Sequence, residues 1–468
     1  MKTPAVQIGV ISLSAILLLT VGVLFVGVAQ KFMSANLLSE TLTEPDTELP
    51  LSYETRITKG DQLFEAGYYE LAASEYSIAV TIENTAESAY TKLGKTYLKL
   101  GSYVEALASL KRAYELSPTD GARSNYATAM LRNKKFDEAA TLLNEGNPEH
   151  QATVFYQSIL LAYQGNYNDA QSKLEKAVSL SGSVPTSYLQ NFQSAFQSYN
   201  AQQGGQTIFL QALLTKALID AEEYPMAEEM ALKVLNTKND YRDVWVLLGY
   251  SQLQMKKFAE AEDAFKQAKK LDAVKPETHY FLGVAHYEQA EYTEAVNSFE
   301  LALLYDFEPE SEAYLKMAES QNKLGNFEDA LASYEYLIKI DNSSLSLFKE
   351  PLRIATEQLN DLDRALTLAE ESTSYFPQEA QSHVYLAEIY LKRGELEKAA
   401  STIEIAFDID PNLAEAHLTA GQIRLAEENL EGAKWEFKKA YELSKPGDEL
   451  SVKAAEQYNA LILTAPTP

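Results

Sequence analysis

Few residues in this 468-residue chain stand in patterns that could do chemistry. Leu93-Gly94-Lys95-Thr96 has the tail of a phosphate-binding loop, in which backbone amides and a lysine cradle a polyphosphate. That loop needs a glycine five residues before Gly94, and position 89 is alanine, so no nucleotide site is expected. His279 and His286, seven residues apart, could share a metal ion, but core packing is the simpler use of both. His150, beside Pro148 in a loop, is expected to be solvated. The acid pairs Glu222-Glu223 and Glu427-Glu428 have no aligned acid–base partner and read as exposed faces. A chain without cysteine has no disulfide, thiolate nucleophile, Fe–S cluster or cysteine zinc site. Five histidines leave little material for a histidine metal centre. No catalytic residue, metal ligand or cofactor is assigned, and a non-enzyme is expected.

The bulk composition narrows the rest. Lysine and arginine number 40 against 67 aspartates and glutamates, a formal charge of −27. So acidic a chain does not suit nucleic acid, whose phosphates call for clustered cations. Hydrophobic residues at 46% and charged residues at 23% are those of a folded protein.

Ile8 to Val28 is 21 residues without a charge. At about 1.5 Å per residue, a helix of that length spans a hydrocarbon core of roughly 30 Å. Cleaved signals usually carry an apolar region of about 7–15 residues. Residues 1–30 are therefore read as a single transmembrane anchor, with a cleaved signal ending near Ala29 as the alternative. Lys2 and Lys31 balance across the span, and the free amino terminus tips the orientation towards the bulk of the chain lying outside the cytoplasm. A single-pass protein of a bacterial inner or cell membrane is the expectation. No cysteine follows the span, which excludes a lipid anchor on that residue. Residues 31–52, with Pro45 and Pro50 among acids and threonines, read as a spacer.

Self-similarity dominates the remaining four hundred or so residues. Gly60 and Gly94 are 34 residues apart, as are Ala72 and Ala106, and Ala79 and Ala113. One unit reads Tyr90, Leu93, Gly94, Tyr97, Gly101, Tyr103, Ala106, Leu110, Ala113, Pro118. This pattern resembles the tetratricopeptide repeat (TPR) family. Eleven units can be counted from Ala72, Ala106, Ala139, Ala170, Ala227, Ala261, Ala295, Ala330, Ala365, Ala399 and Ala433. The resemblance implies an all-α fold: a right-handed superhelical solenoid of about eleven antiparallel helix pairs, A and B, behind one transmembrane helix. The larger residue between the two helix-B alanines, such as Tyr76, Leu110 or Phe437, is expected to fill the space between neighbouring units. Gly101, Gly165, Gly325 and Gly394 fall where a left-handed residue closes helix A.

The gap from Ala170 to Ala227 exceeds the period by 23 residues. There Tyr188, Phe192, Phe196 and Tyr199 recur at helical spacing before Gln203-Gly204-Gly205-Gln206. Residues 183–207 are read as an inserted amphipathic helix and hinge between a first array (53–182) and a second (208–446). Its aromatics are expected to cap the first array. Pro351 should interrupt the first helix of the ninth unit. Residues 447–468 are read as a capping helix and tail, with Val452, Ala455, Tyr458 and Leu461 on one face.

The resemblance also implies a concave groove lined by positions two, five, nine and twelve of helix A. Those positions make Phe155, Phe209, Tyr250, Tyr280 and Tyr287 candidate anchors for a protein or peptide segment. Glu312, Glu319, Glu350, Glu357 and Glu388 lie at the same positions in units eight to ten, giving an acidic end suited to basic segments. No unit carries the Lys–Asn pair with which one TPR subtype grips chaperone tails. The expected role is a membrane-anchored scaffold or adaptor in envelope assembly or protein translocation. The alternative is a structural subunit using its outer faces.

Overall fold

A computed structural model describes residues 52–202, 206–445 and 448–463. Among them are 24 α-helices and no strand. The proposed span Ile8–Val28 lies outside the described residues, and no described helix is long and apolar enough to cross a membrane. The chain divides into two compact bodies, Met1–Gln289 and Ala290–Pro468. The first holds units one to six as helix pairs, from Tyr53–Glu65 with Tyr69–Ile82 to Arg242–Gln254 with Phe258–Leu271, and ends on Pro276–Glu288. The second begins at Tyr292–Leu304, holds units eight to eleven, and ends on Glu449–Leu463.

The eleven alanines that mark the repeat are all fully buried. They let helix B approach helix A closely, and the eighth position of helix A completes the fit. A methyl group on Gly60 would lie 2.5 Å from the Tyr76 ring, one on Gly249 2.6 Å from Phe265, and one on Gly421 2.5 Å from Phe437. Each large helix-B residue thus presses on the glycine of its own unit. The same side chains also pack on the next unit: Tyr76 shares a core with Leu93, and Tyr334 with Leu345 and Phe348. Where helix B instead offers Ala231 or Ala369, position eight is the larger Thr215 or Arg353.

Every A-to-B turn closes on a left-handed residue. Five are glycine, including Gly101 at φ +74°, but Lys256 (φ +59°) and Glu428 (φ +63°) hold the same conformation against steric cost.

Three places depart from the regular helix pair. Thr186–Ala201 is the inserted helix, burying Leu189, Phe192, Ala195 and Phe196. In the ninth unit helix A breaks into a 3₁₀ turn (Leu345–Phe348), a short α segment (Lys349–Arg353) and a π turn (Ile354–Gln358). Pro351 has no amide to give, yet Leu345, Phe348, Leu352 and Ile354 still join one core with Leu331, Tyr334 and Leu337. The last helix packs through Ala454, Tyr458 and Leu461 onto Leu418 and Phe437. Its inward face is turned relative to the expected one, leaving Val452 exposed.

Candidate partner-binding face

The aromatic positions expected to line a groove divide into two kinds. Phe155 is 1% exposed and meets Phe192 of the inserted helix edge-to-face, with centroids 5.5 Å apart. It belongs to the cap of the first array and offers no surface to a partner. Tyr250 and Tyr280, 5% and 7% exposed, both set an edge against Phe281, which also stacks on Phe265. These two are brought together, but as core: helix A of the seventh unit is buried along most of its length. Phe209 and Tyr287 stay half-buried and are the two aromatics that keep accessible surface.

Helix B of unit five, Tyr224–Thr237, and the turn before it bond to the ends of three earlier helices A. Glu222, in the turn before it, pairs with Lys99 at 2.7 Å. Glu223 pairs with Arg132 at 3.1 Å, and Arg132 also donates to the Leu98 carbonyl. Lys134 bridges Glu228 (2.8 Å) and Glu229 (2.7 Å), while Lys257 holds Glu228 from the next unit. Lys233 donates to the Tyr163 carbonyl at 2.9 Å and sits over its ring. The expectation that Glu222-Glu223 form an exposed face fails for Glu223, which is 2% exposed. Tyr103, Tyr156, Tyr188 and Tyr224 gather round this ion pair. Burial, then Glu223, pushes the Tyr156 hydroxyl above its ordinary value. Burial, Glu222 and Glu223 push Tyr188 up to about 12.

In the second body the acidic positions of helix A remain, in part, at the surface. Glu319 pairs with Lys316 at 2.8 Å. Glu350 accepts from Arg353 at 2.9 Å and from Asn322 at 3.4 Å. Glu357 is exposed, 4.0 Å from Arg353. Glu388 accepts from the Thr419 hydroxyl at 3.2 Å, and burial lifts its carboxyl above the usual carboxylate range. Burial likewise pushes the neighbouring Tyr385 hydroxyl up to about 12. Glu312 departs from the expectation, being buried.

Other singled-out residues have structural uses. Leu93–Thr96 lies inside the helix Glu87–Leu100, where its amides cannot wrap a phosphate. His279, expected to pack, is hydrogen-bonded as well, and His383 and His417 hold the same fourth position of their units. Nε2 of His279, His383 and His417 donates to the carbonyl of Ala273, Pro377 and Pro411, six residues earlier in each case. Trp245, at the same fourth position, donates to Asn239 at 2.8 Å. His150 is not simply solvated, since it caps the helix Gln151–Gln164 by accepting from the Thr153 amide. The Arg132–Glu223 cluster escapes sequence reasoning because its partners are 91 residues apart. The doublets Glu222-Glu223 and Glu228-Glu229 are its visible signal.

Family models described as tetratricopeptide repeat match residues 97–160, and residues 57–121, 246–312, 280–344 and 355–414. The TPR repeat-containing protein YpiA of Bacillus subtilis is 27% identical over 42% of this chain and 55% of its own length. A DnaJ homolog subfamily C member 7 homolog of Dictyostelium discoideum is 23% identical over 86% of this chain and 64% of its own. The chain thus spans less than two thirds of either relative. A tetratricopeptide repeat protein from Parabacteroides merdae is 17% identical, covers 58% of this chain and 99% of that one, and superposes with a TM-score of 0.33. A structure of Naa15/Naa10 bound to HypK-THB is 12% identical over 89% and 88% of the two chains, with a TM-score of 0.38. The repeat matches together cover more than half of the sequence, and the chain belongs to the tetratricopeptide repeat family.

Proposed function

We propose that this chain is a membrane-anchored scaffold or adaptor that catalyses no reaction and binds protein segments through the helix-A face of its second body. Residues 8–28 would hold it at the membrane, raising its effective concentration there, in envelope assembly or protein translocation. The observation that carries the reading is the partly exposed row Glu319, Glu350, Glu357 and Glu388, beside the half-buried Tyr385. Such a row favours a segment that brings lysine or arginine, with an aromatic face to pack on.

Affinity capture from detergent extract, with co-purifying proteins identified by mass spectrometry, tests this. Glu319→Lys with Glu357→Lys should lose the captured set. A second reading, a structural subunit held through its outer faces, is favoured by the exposed Tyr336, Ile340, Tyr375 and Ile405 on successive helices B. It gains ground if Tyr336→Ser with Tyr375→Ser loses the set and the charge-reversed protein keeps it. Release of the protein from membranes by alkaline carbonate would remove the anchor from either reading.

A further inference from the structure

The core shared by units ten and eleven is built mostly from alanine. Ala380, Ala387, Ala399, Ala406, Ala416 and Ala420 stand in it beside Val384, Ile403 and Ile423. Position seven of helix A explains the thinness. In units two, six and nine that residue is a leucine packed on helix B of the unit before. Leu93 joins Ala72 and Tyr76 there, Leu248 joins Ala231 and Val234, and Leu352 joins Leu331 and Leu337. Unit eleven has Ala420 in this place. Position eleven changes with it: Tyr97 packs on the core of unit one, but Arg424 holds that position in unit eleven. The two exchanges leave a hollow of about 230 Å³ between helix B of unit ten (Leu396–Ile409) and helix A of unit eleven (Ala414–Ala426). One water needs roughly 10–15 Å³, so there is room for a whole side chain.

We propose that this hollow is a docking site for one leucine side chain on a helix of a partner protein. That helix carries an acid one turn to one side of the leucine and a lysine or arginine one turn to the other. The floor of the hollow is Ile403, Ala420 and Ile423, and an apolar side chain laid on it takes that surface out of water. In units two, six and nine a leucine from a helix of this chain fills the same place, so a leucine on a helix is the shape it fits. The rim sets the charges. Glu404, Arg424 and Glu427 stand there, and among the described residues none of their side chains makes an ion pair or a hydrogen bond. Arg424 calls for the acid, and Glu404 and Glu427 for the base. Rim charges steer and select a partner, while the leucine supplies the affinity. None of these residues belongs to the row Glu319, Glu350, Glu357 and Glu388, and the two sites select different segments.

The probe is a fluorescein-labelled, alanine-based helical peptide with Glu-Ala-Ala-Leu-Ala-Ala-Lys at its centre, titrated with the full chain by fluorescence anisotropy. It should bind saturably. The same peptide with alanine for its leucine should bind about tenfold more weakly, the loss expected for one leucine left unburied. Ala420→Leu restores the side chain that the other units carry. It should raise the melting temperature, because it fills a hollow, and weaken the peptide by a similar factor. Arg424→Glu, at the rim, should come to prefer a peptide with lysine in place of its glutamate. Glu319→Lys with Glu357→Lys should leave this peptide bound, so the two proposed sites can fail separately. No saturable binding at millimolar peptide, equal binding of the leucine and alanine peptides, or unchanged binding by Ala420→Leu overturns the proposal. A lower melting temperature for Ala420→Leu also overturns it, since the hollow would then hold no free room.

Discussion

A single carboxyl in the second body shows how position decides a residue's cost and its use. Glu388 sits on helix A with one hydroxyl donor, Thr419, and burial raises its carboxyl above the ordinary value of 4.5. A raised folded value means that the folded state binds the proton more tightly than the unfolded one. The contribution to stability is therefore full below about pH 4.5 and is lost as pH rises through the folded value. Glu388→Gln should unfold at a higher temperature than the unaltered protein at pH 7, and the two melting curves should converge near pH 4. Identical curves at both pH values would mean that the carboxylate is well solvated. The same substitution should weaken any basic partner, so stability and binding move in opposite directions. Ring donors at position four argue the complementary point. His417 faces Glu436 at 2.7 Å through Nδ1 as well as the Pro411 carbonyl through Nε2. His417→Ala strands a buried carboxylate and should cost about 1–3 kcal/mol, read by denaturant unfolding of the last units. The repeat pattern places these rings correctly indoors. It does not reveal their bonds, because a carbonyl six residues earlier carries no side-chain signature.

At the level of the helix pair, the alanines and glycines of the repeat give the register directly. The fit between position eight and helix B makes that legibility quantitative. Gly249→Ala would bring a methyl group to 2.6 Å from the Phe265 ring, and overpacking of this kind costs about 1–3 kcal/mol despite alanine's better helix propensity. Combining it with Phe265→Leu should recover part of the loss. A strictly additive double mutant, measured by the same unfolding transition, would show that the two side chains do not share the space. Lys256→Gly argues the reverse case. Relief of its left-handed backbone should stabilise the first body by up to about 1 kcal/mol. Unit nine marks the limit of pattern reading. Pro351 announces a broken helix, but the π turn after it depends on how Ile354 and Ala355 settle into the core, which spacing does not encode. The final helix is similar: its existence is legible, while its inward face is turned by the cluster of Leu418, Phe437 and Ala454 that it must cover.

Across the whole chain, the eleven units and the inserted helix follow from a period, but the closure of the first body does not. Closure joins residues roughly ninety or more positions apart, and the doublet Glu222-Glu223, of which only Glu223 is buried, looks in sequence like the surface doublet Glu427-Glu428. The pattern therefore points to a groove at Phe155, Tyr250 and Tyr280, where it puts aromatics, and the structure spends those rings on its own core. Arg132 and Glu223 give the sharpest test of what closure contributes. Removing one member of a buried pair leaves the other charge uncompensated, at a cost of about 3–5 kcal/mol, whereas replacing both by apolar residues is often neutral. Arg132→Met should thus lower the stability of the first body by that amount, and Arg132→Met with Glu223→Leu should return it close to the original. The two tryptophans make the measurement local, since Trp245 lies in the first body and Trp435 in the second. A shift in the Trp245 transition alone would show that closure is a property of the first body. A matching shift at Trp435 would mean that the repeats unfold as one cooperative array, with the ion pair contributing to all of it. An Arg132→Met protein as stable as the double variant would show that Glu223 finds water once its partner is gone, and that the closed interior is already wet.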